Sequence, residues 1–158
     1  MTDKPAVDAC YAAGVGATIP LSIGGSLDPI MSKPVKVNAT VKYLSKTDVA
    51  ADREAVIDFD GITATLCGKR QNYHEAFAFT NLGIDPTAFQ IVVLKCGYLA
   101  PTMKPLANPH IIALSPGAID QDIPHIANKR RKPSYPWVTD LKYTPAPYTS
   151  ARGAAVRS

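Results

Sequence analysis

The stretch "VKVNATVKY", residues 35–43, alternates apolar and polar side chains without a break. Successive side chains of a β-strand leave opposite faces, so Val35, Val37, Ala39, Val41 and Tyr43 are set on one face. Lys36, Asn38, Thr40 and Lys42 take the other. A strand with one wet face does not suit a sheet covered on both sides, and the pattern predicts a half-buried strand with an antiparallel neighbour. The flanking sequence offers neighbours. "ATIPLSIGG" before it reads as a strand, and "REAVIDFDGITATLCGKR" after it holds two strand-like runs meeting at Asp60 and Gly61. That dipeptide permits positive φ, and a hairpin or a glycine bulge both fit.

Two segments carry helical signals. "AVDACYAAGVG" places Ala, Val and Cys at helical spacing and ends in Gly14 and Gly16, predicting a short helix closed by a glycine cap. "QNYHEAFAFTNLG" predicts a second, with Asn72 as its cap and Gly83 just past its last apolar residue.

The last third changes character. "QIVVLKC" and "HIIALSPG" are continuously apolar, and between them "APTMKPLA" reads as a short helical or turn-like crossover with Pro101 suited to its first position. Strand, crossover, strand predicts a parallel pair buried on both faces. The expected fold is α+β with a mixed sheet: antiparallel strands in the first half, and a parallel strand pair with a short crossover near the C-terminus. A chain of 158 residues suits one sizeable core, which we place in residues 1–140. Residues 141–158 mix Pro, Ser, Gly and Arg without periodicity and are expected to form a flexible tail.

The net charge of +4 suggests nucleic acid until it is divided along the chain. Residues 129–158 hold seven Lys or Arg against one Asp, whereas residues 1–128 hold ten against twelve acids. The basic character therefore belongs to the end of the chain. Its densest point, "NKRRKP", lacks interleaved stacking aromatics and any nucleic-acid motif, so a solvated basic segment is expected and no nucleic-acid partner. Cys10, Cys67 and Cys96 are odd in number and show no CxxC spacing. This predicts reduced thiols packed as small hydrophobes in a cytoplasmic protein, in place of a disulfide framework or a zinc knuckle. "MTDKPAVDAC" has acids and no apolar signal core, and no apolar run reaches the eighteen residues of a membrane helix, so neither secretion nor a membrane partner is expected.

Chemistry is harder to place. If the two apolar strands are parallel, their carboxyl ends bring Lys95, Cys96 and Tyr98 near Ser115, Gly117 and Asp120, and ligands in open α/β sheets bind beyond such ends. Equally, Lys95 can reach solvent while Cys96 packs in the core. His74, His110 and His125 are scattered, and the pairs Asp58 with Asp60 and Asp120 with Asp122 have no histidine at ligand spacing, so no metal centre is expected. "AGVGAT" and "SIGGSLDP" lack the full phosphate-loop patterns and read as cap and turn. A nucleophilic Cys96 would need a nearby base or cation, and Lys95 on a strand points the opposite way.

Four segments resemble the C-terminal domain of the MlrC-type family, the microcystin-degradation metallopeptidases: "DKPAVDACYAAGVGATIPLSIGGSLDP", "QNYHEAFAFTNLGIDPTAFQIVVLKCGYLAP", "ALSPGAIDQDI" and "RRKPSYPW". The likeness runs from about Pro5 to about Asp140. It implies a two-domain protein whose larger N-terminal domain carries the zinc ligands and most of the hydrolytic chemistry, a domain missing here. On that resemblance no catalytic residue and no cofactor are expected in this chain, zinc belongs to the missing domain, and the partner is a metal-binding N-terminal domain or subunit. A peptide or small molecule is the implied substrate. Lys95, Gly97, Tyr98, Asp120, Asp122 and Tyr135 with Pro136 match motif positions and become candidate substrate or partner contacts, to which the strand-end argument adds Ser115. The chain departs from many relatives, which have a serine and then a histidine and arginine after the motif lysine where Cys96, Gly97 and Tyr98 stand here. Lys132 replaces the usual arginine before proline, losing a planar bidentate donor.

Two functions are thus in view. One is a non-catalytic domain packing on a metal-bearing partner and walling its substrate cleft; the other is a freestanding small-anion module using Lys95 and Ser115. An autonomous Cys96 hydrolase is a third.

Overall fold

The strand expected at residue 35 is the second of four, and it organises the sheet. The structure, a computed structural model, describes residues 1–30, 32–114, 122–125, 139–140, 142 and 150. Helix α1 (Lys4–Ala13) is followed by β1 (Thr18–Ile23), β2 (Val35–Leu44), β3 (Glu54–Phe59), β4 (Ile62–Cys67) and a short helix α2 (Ala76–Thr80). The strands lie in the order β1-β2-β3-β4 and every pair is antiparallel. The chain divides after Ile112 into two compact units, of which the first holds the sheet and both helices.

Polar alternation in β2 explains why it tolerates neighbours on both sides while keeping one wet face. Across it, Thr18 pairs with Thr40 and Thr40 with Asp58, and the outer face carries hydroxyl and charge contacts. The Thr18 and Thr40 hydroxyls are 2.9 Å apart, and Thr63 donates to Asp58 over 2.7 Å. On the inner face Leu21, Ile23, Ala39, Val41, Ala55, Ile57 and Leu66 are buried against Ala6, Val7 and Cys10 of α1. Burying a large aliphatic side chain contributes roughly 1.5–3 kcal/mol, so this single helix-on-sheet layer carries most of the stability of the first unit.

One detail of the alternation changes. Val41 pairs with Ile57, but Tyr43 pairs with Val56, a register shift that places one extra residue in β2. Such a bulge inverts the faces downstream. Leu44, not Tyr43, therefore packs on the core. At the other end of β3 the choice left open by Asp60 and Gly61 resolves to a two-residue hairpin, with φ of 47° and 78°, the pair of positive values a type I′ turn needs.

Asp3 ties the helix to the sheet. Its side chain, on a residue only 3% exposed, accepts from Ala6 N at 3.2 Å as the N-cap of α1 and from Gly24 N at 2.8 Å beyond β1. Its own N–H donates to the Cys67 carbonyl at 2.9 Å, and Thr2 bridges Cys67 in parallel, the one parallel bridge among the described residues. The opposite edge, β1, is protected differently. Pro20 at its middle lacks an N–H, and Thr18 and Ser22 are polar.

Beyond β4 the chain builds a second, smaller core from Phe79, Ala100 and Met103, with Tyr73, Ala76, Ile84, Leu94 and Leu99 packed against it. Helix α2 starts at Ala76 with Glu75 at its N-cap, so Asn72 does not cap it. The crossover is a turn leading into a 3-10 turn over Lys104–Leu106, where Pro105, not Pro101, takes the early helical position. Neither 91–96 nor 110–114 is a strand, and the described residues contain no parallel strand pair. The physical reason is the lack of a ladder: a continuous apolar run is a strand only when neighbours satisfy its backbone and layers cover both faces. Residues 115–117 of the second run lie outside the described residues.

Asp3→Ala is expected to cost on the order of 2–4 kcal/mol, the sum of a lost cap and an unsatisfied Gly24 N–H. Asp3→Asn, which keeps one accepting oxygen, should lose less. Urea unfolding at constant slope measures both; equal stability of Asp3→Ala and the parent would remove Asp3 as the tie.

Candidate functional site

Leu94 and Leu99 pack on the second core, and the four residues between them are held outside it. Lys95, Cys96, Gly97 and Tyr98 are all exposed, Tyr98 to 70%. The two leucines act as posts, and the loop they support presents an ammonium, a thiol and a phenol to the surroundings. Since 91–96 is not a strand, two-fold alternation does not separate Lys95 from Cys96; both face outward. Cys96 therefore does not pack in the core as Cys10 and Cys67 do.

The segment leading into this loop is apolar and uncovered. Ile91 is 81% exposed and Val93 88%, whereas Val92 is 39% exposed and Leu94 is partly buried on the second core. Of residues 91–94 only Leu94 turns inward. Phe89 is exposed as well.

Of the residues singled out from sequence, Lys95, Gly97 and Tyr98 thus come together as neighbours on one exposed loop. Ser115, Asp120 and Tyr135 lie outside the described residues. Asp122 belongs to the second unit, where its Oδ1 lies 2.7 Å from Nδ1 of His125 in the 3-10 turn Ile123–His125. His74 Nε2 lies 3.7 Å from Glu75 Oε1. Among the described residues no group of three or more His, Cys, Asp or Glu is placed to hold a metal ion.

A polar cluster that sequence motifs did not announce sits where β3 begins and β4 ends. A hollow of about 180 Å³ is lined by Asp52, Arg53, Glu54, Cys67, Lys69 and Gln71. Beside it Tyr73 donates to Glu54 Oε1, and Gln71 Nε2 donates to the Tyr73 hydroxyl at 2.7 Å and to the same carboxylate. Lys69 pairs with Asp52. Arg53 stacks its guanidinium 4.6 Å from the Tyr11 ring centre, leaving its Nε buried without a partner. Gly68 is required here, because a Cβ at that position would stand 2.9 Å from the Ala51 carbonyl oxygen. Burial, and then the bond to Glu54, push the Tyr73 phenol far above its ordinary range, so it is a fixed donor and not a base. The cluster straps the chain after β4 to the start of β3. Its residues come from separate elements with no fixed spacing, and no sequence signal short of the fold itself would have found it.

The family comparison agrees with the sequence likeness. A family model described as the MlrC C-terminus matches residues 1–130. A crystal structure of a "Putative metallopeptidase" from Mesorhizobium sp. BNC1 matches with 22% identity and a TM-score of 0.48, covering 54% of this chain and 19% of that one. No curated protein matches. No helix among the described residues is long and apolar enough to cross a membrane.

Because the folded state raises the Tyr73 pKa, its contribution to stability is whole below the unfolded value near 10 and is lost as the pH rises beyond it. Tyr73→Phe should cost about 1–2 kcal/mol at neutral pH and flatten the alkaline decline. Urea unfolding from pH 7 to 11 tests this, and an unchanged alkaline slope would contradict it.

Proposed function

This chain belongs to the MlrC family, whose C-terminal part it matches, and from that premise we propose that it is a non-catalytic accessory domain of an MlrC-like zinc-dependent hydrolase. In this reading it packs on a metal-bearing N-terminal domain, in the same polypeptide or a separate one, and walls the substrate cleft of that partner. The substrate class is a peptide or small amide. Zinc, and with it the attack on the scissile carbonyl, is assigned to the partner domain. Lys95, Gly97 and Tyr98 are the contacts this chain offers, and Ser115, Asp120, Asp122 and Tyr135 are further candidates.

The observation that carries the reading is the exposed run ending at the Lys95–Tyr98 loop. Exposed apolar side chains are common singly, whereas several contiguous ones mark interaction surfaces. Lysine and tyrosine beside it supply what an interface rim or a cleft wall uses: a charge on a flexible stem and an amphipathic ring. Free thiols at Cys10, Cys67 and Cys96 suit a reducing compartment, in keeping with a cytoplasmic protein.

The purified 158-residue chain is expected to hold no stoichiometric zinc and to hydrolyse no amide bond. Elemental analysis together with a peptide-hydrolysis assay, run with and without a chelator, checks both. One zinc per chain, or turnover that a chelator abolishes, would overturn the accessory role.

A further inference from the structure

We propose that the bond from the Tyr73 hydroxyl to Glu54 is a latch: it fastens the second core, and with it the Lys95–Tyr98 loop, to the sheet, and the second core opens as one unit when that bond breaks. The inference concerns how the loop is held and does not depend on what the loop contacts.

The first observation is that the two cores are separate. The cluster between α1 and the sheet and the one around Phe79, Ala100 and Met103 have no residue in common, even counting the partly buried side chains packed on each. The smaller one is tied within itself. Ala76 N donates to the Thr102 hydroxyl at 3.2 Å, Thr102 donates to Glu75, and the N–H groups of Leu82 and Ile84 donate to the Phe79 carbonyl at 2.9 and 3.0 Å. A segment that satisfies its own polar groups can part from its neighbour without leaving them unmet. Cooperative units of this kind open at a free energy below that of global unfolding.

The second is the point where the two cores are joined. The Tyr73 ring packs against the second core, 6.4 Å from the Phe79 ring centre, while its hydroxyl donates to Glu54 Oε1 at the start of β3 and accepts from Gln71 at 2.7 Å. Among the described residues this is the one hydrogen bond from residues 72–112 to the four strands. A bond onto a carboxylate is stronger than one between neutral groups, so a single contact of this type can hold two small units together.

The third is the place of the loop. Leu94 and Leu99 both pack on the second core, so residues 95–98 are anchored to it at either end. The latch therefore decides where Lys95 and Tyr98 stand relative to the sheet.

Native-state hydrogen exchange of the 158-residue chain tests this, read at the amides of Leu82, Ile84 and Met103 in the second core and at those of β2 and β3 in the sheet. The second-core amides should share one opening and exchange at least about tenfold faster than the slowest sheet amides. Tyr73→Phe should speed them roughly tenfold. Glu54→Ala should act likewise, and the double variant should be no faster than Glu54→Ala alone. Ile57→Val, which removes one methylene from the sheet core, should speed the slowest sheet amides about severalfold and leave the second-core rates unchanged. Second-core amides that quicken with Ile57→Val in step with the sheet would show a single cooperative unit and overturn the proposal. Second-core rates unmoved by Tyr73→Phe, or additive effects of Tyr73→Phe and Glu54→Ala, would overturn the latch.

Discussion

One buried carboxylate sets how the helix and the sheet of the first unit meet. Asp3 caps α1 through Ala6 N, receives Gly24 N from the far end of β1, and through its backbone joins the last residue of β4. Three elements distant in sequence meet at a residue almost removed from water. An ionised group so placed is tolerable only because each oxygen has a donor. The apolar layer between α1 and the sheet supplies the driving force, but it is non-directional. The carboxylate sets where along the sheet the helix begins.

The larger core lies within the first 67 residues, and the chain beyond β4 builds a smaller one. The second core has three buried residues, Phe79, Ala100 and Met103. The strap from Glu54 to Gln71 and Tyr73 fastens it to the sheet, and beyond Leu94 the chain presents apolar and aromatic side chains outward.

Family membership and this geometry meet at the Lys95–Tyr98 loop. Its residues were readable as motif positions, and the structure places them exposed between Leu94 and Leu99, which pack on the second core. The Glu54–Gln71–Tyr73 cluster shows the converse. Its members are individually ordinary in sequence, and only the antiparallel pairing that sets Glu54 opposite Cys67 brings the strap over them.

Local chemistry was legible where the cause is local. The half-buried β2, the hairpin site at Asp60 and Gly61, and the glycine-ended helix α1 all stem from side-chain period and φ preference, which act within a few residues. Three features needed the tertiary structure. The bulge after Val41 depends on how β2 meets β3, and no alternation in "VKVNATVKY" can report it. The Asp3 tie depends on Gly24 arriving 21 residues later. The segments 91–96 and 110–114 have the composition of buried strands, yet a strand is a relation between chains of backbone donors and acceptors, and composition says only that a run could be buried, not whether a neighbour is there to bury it.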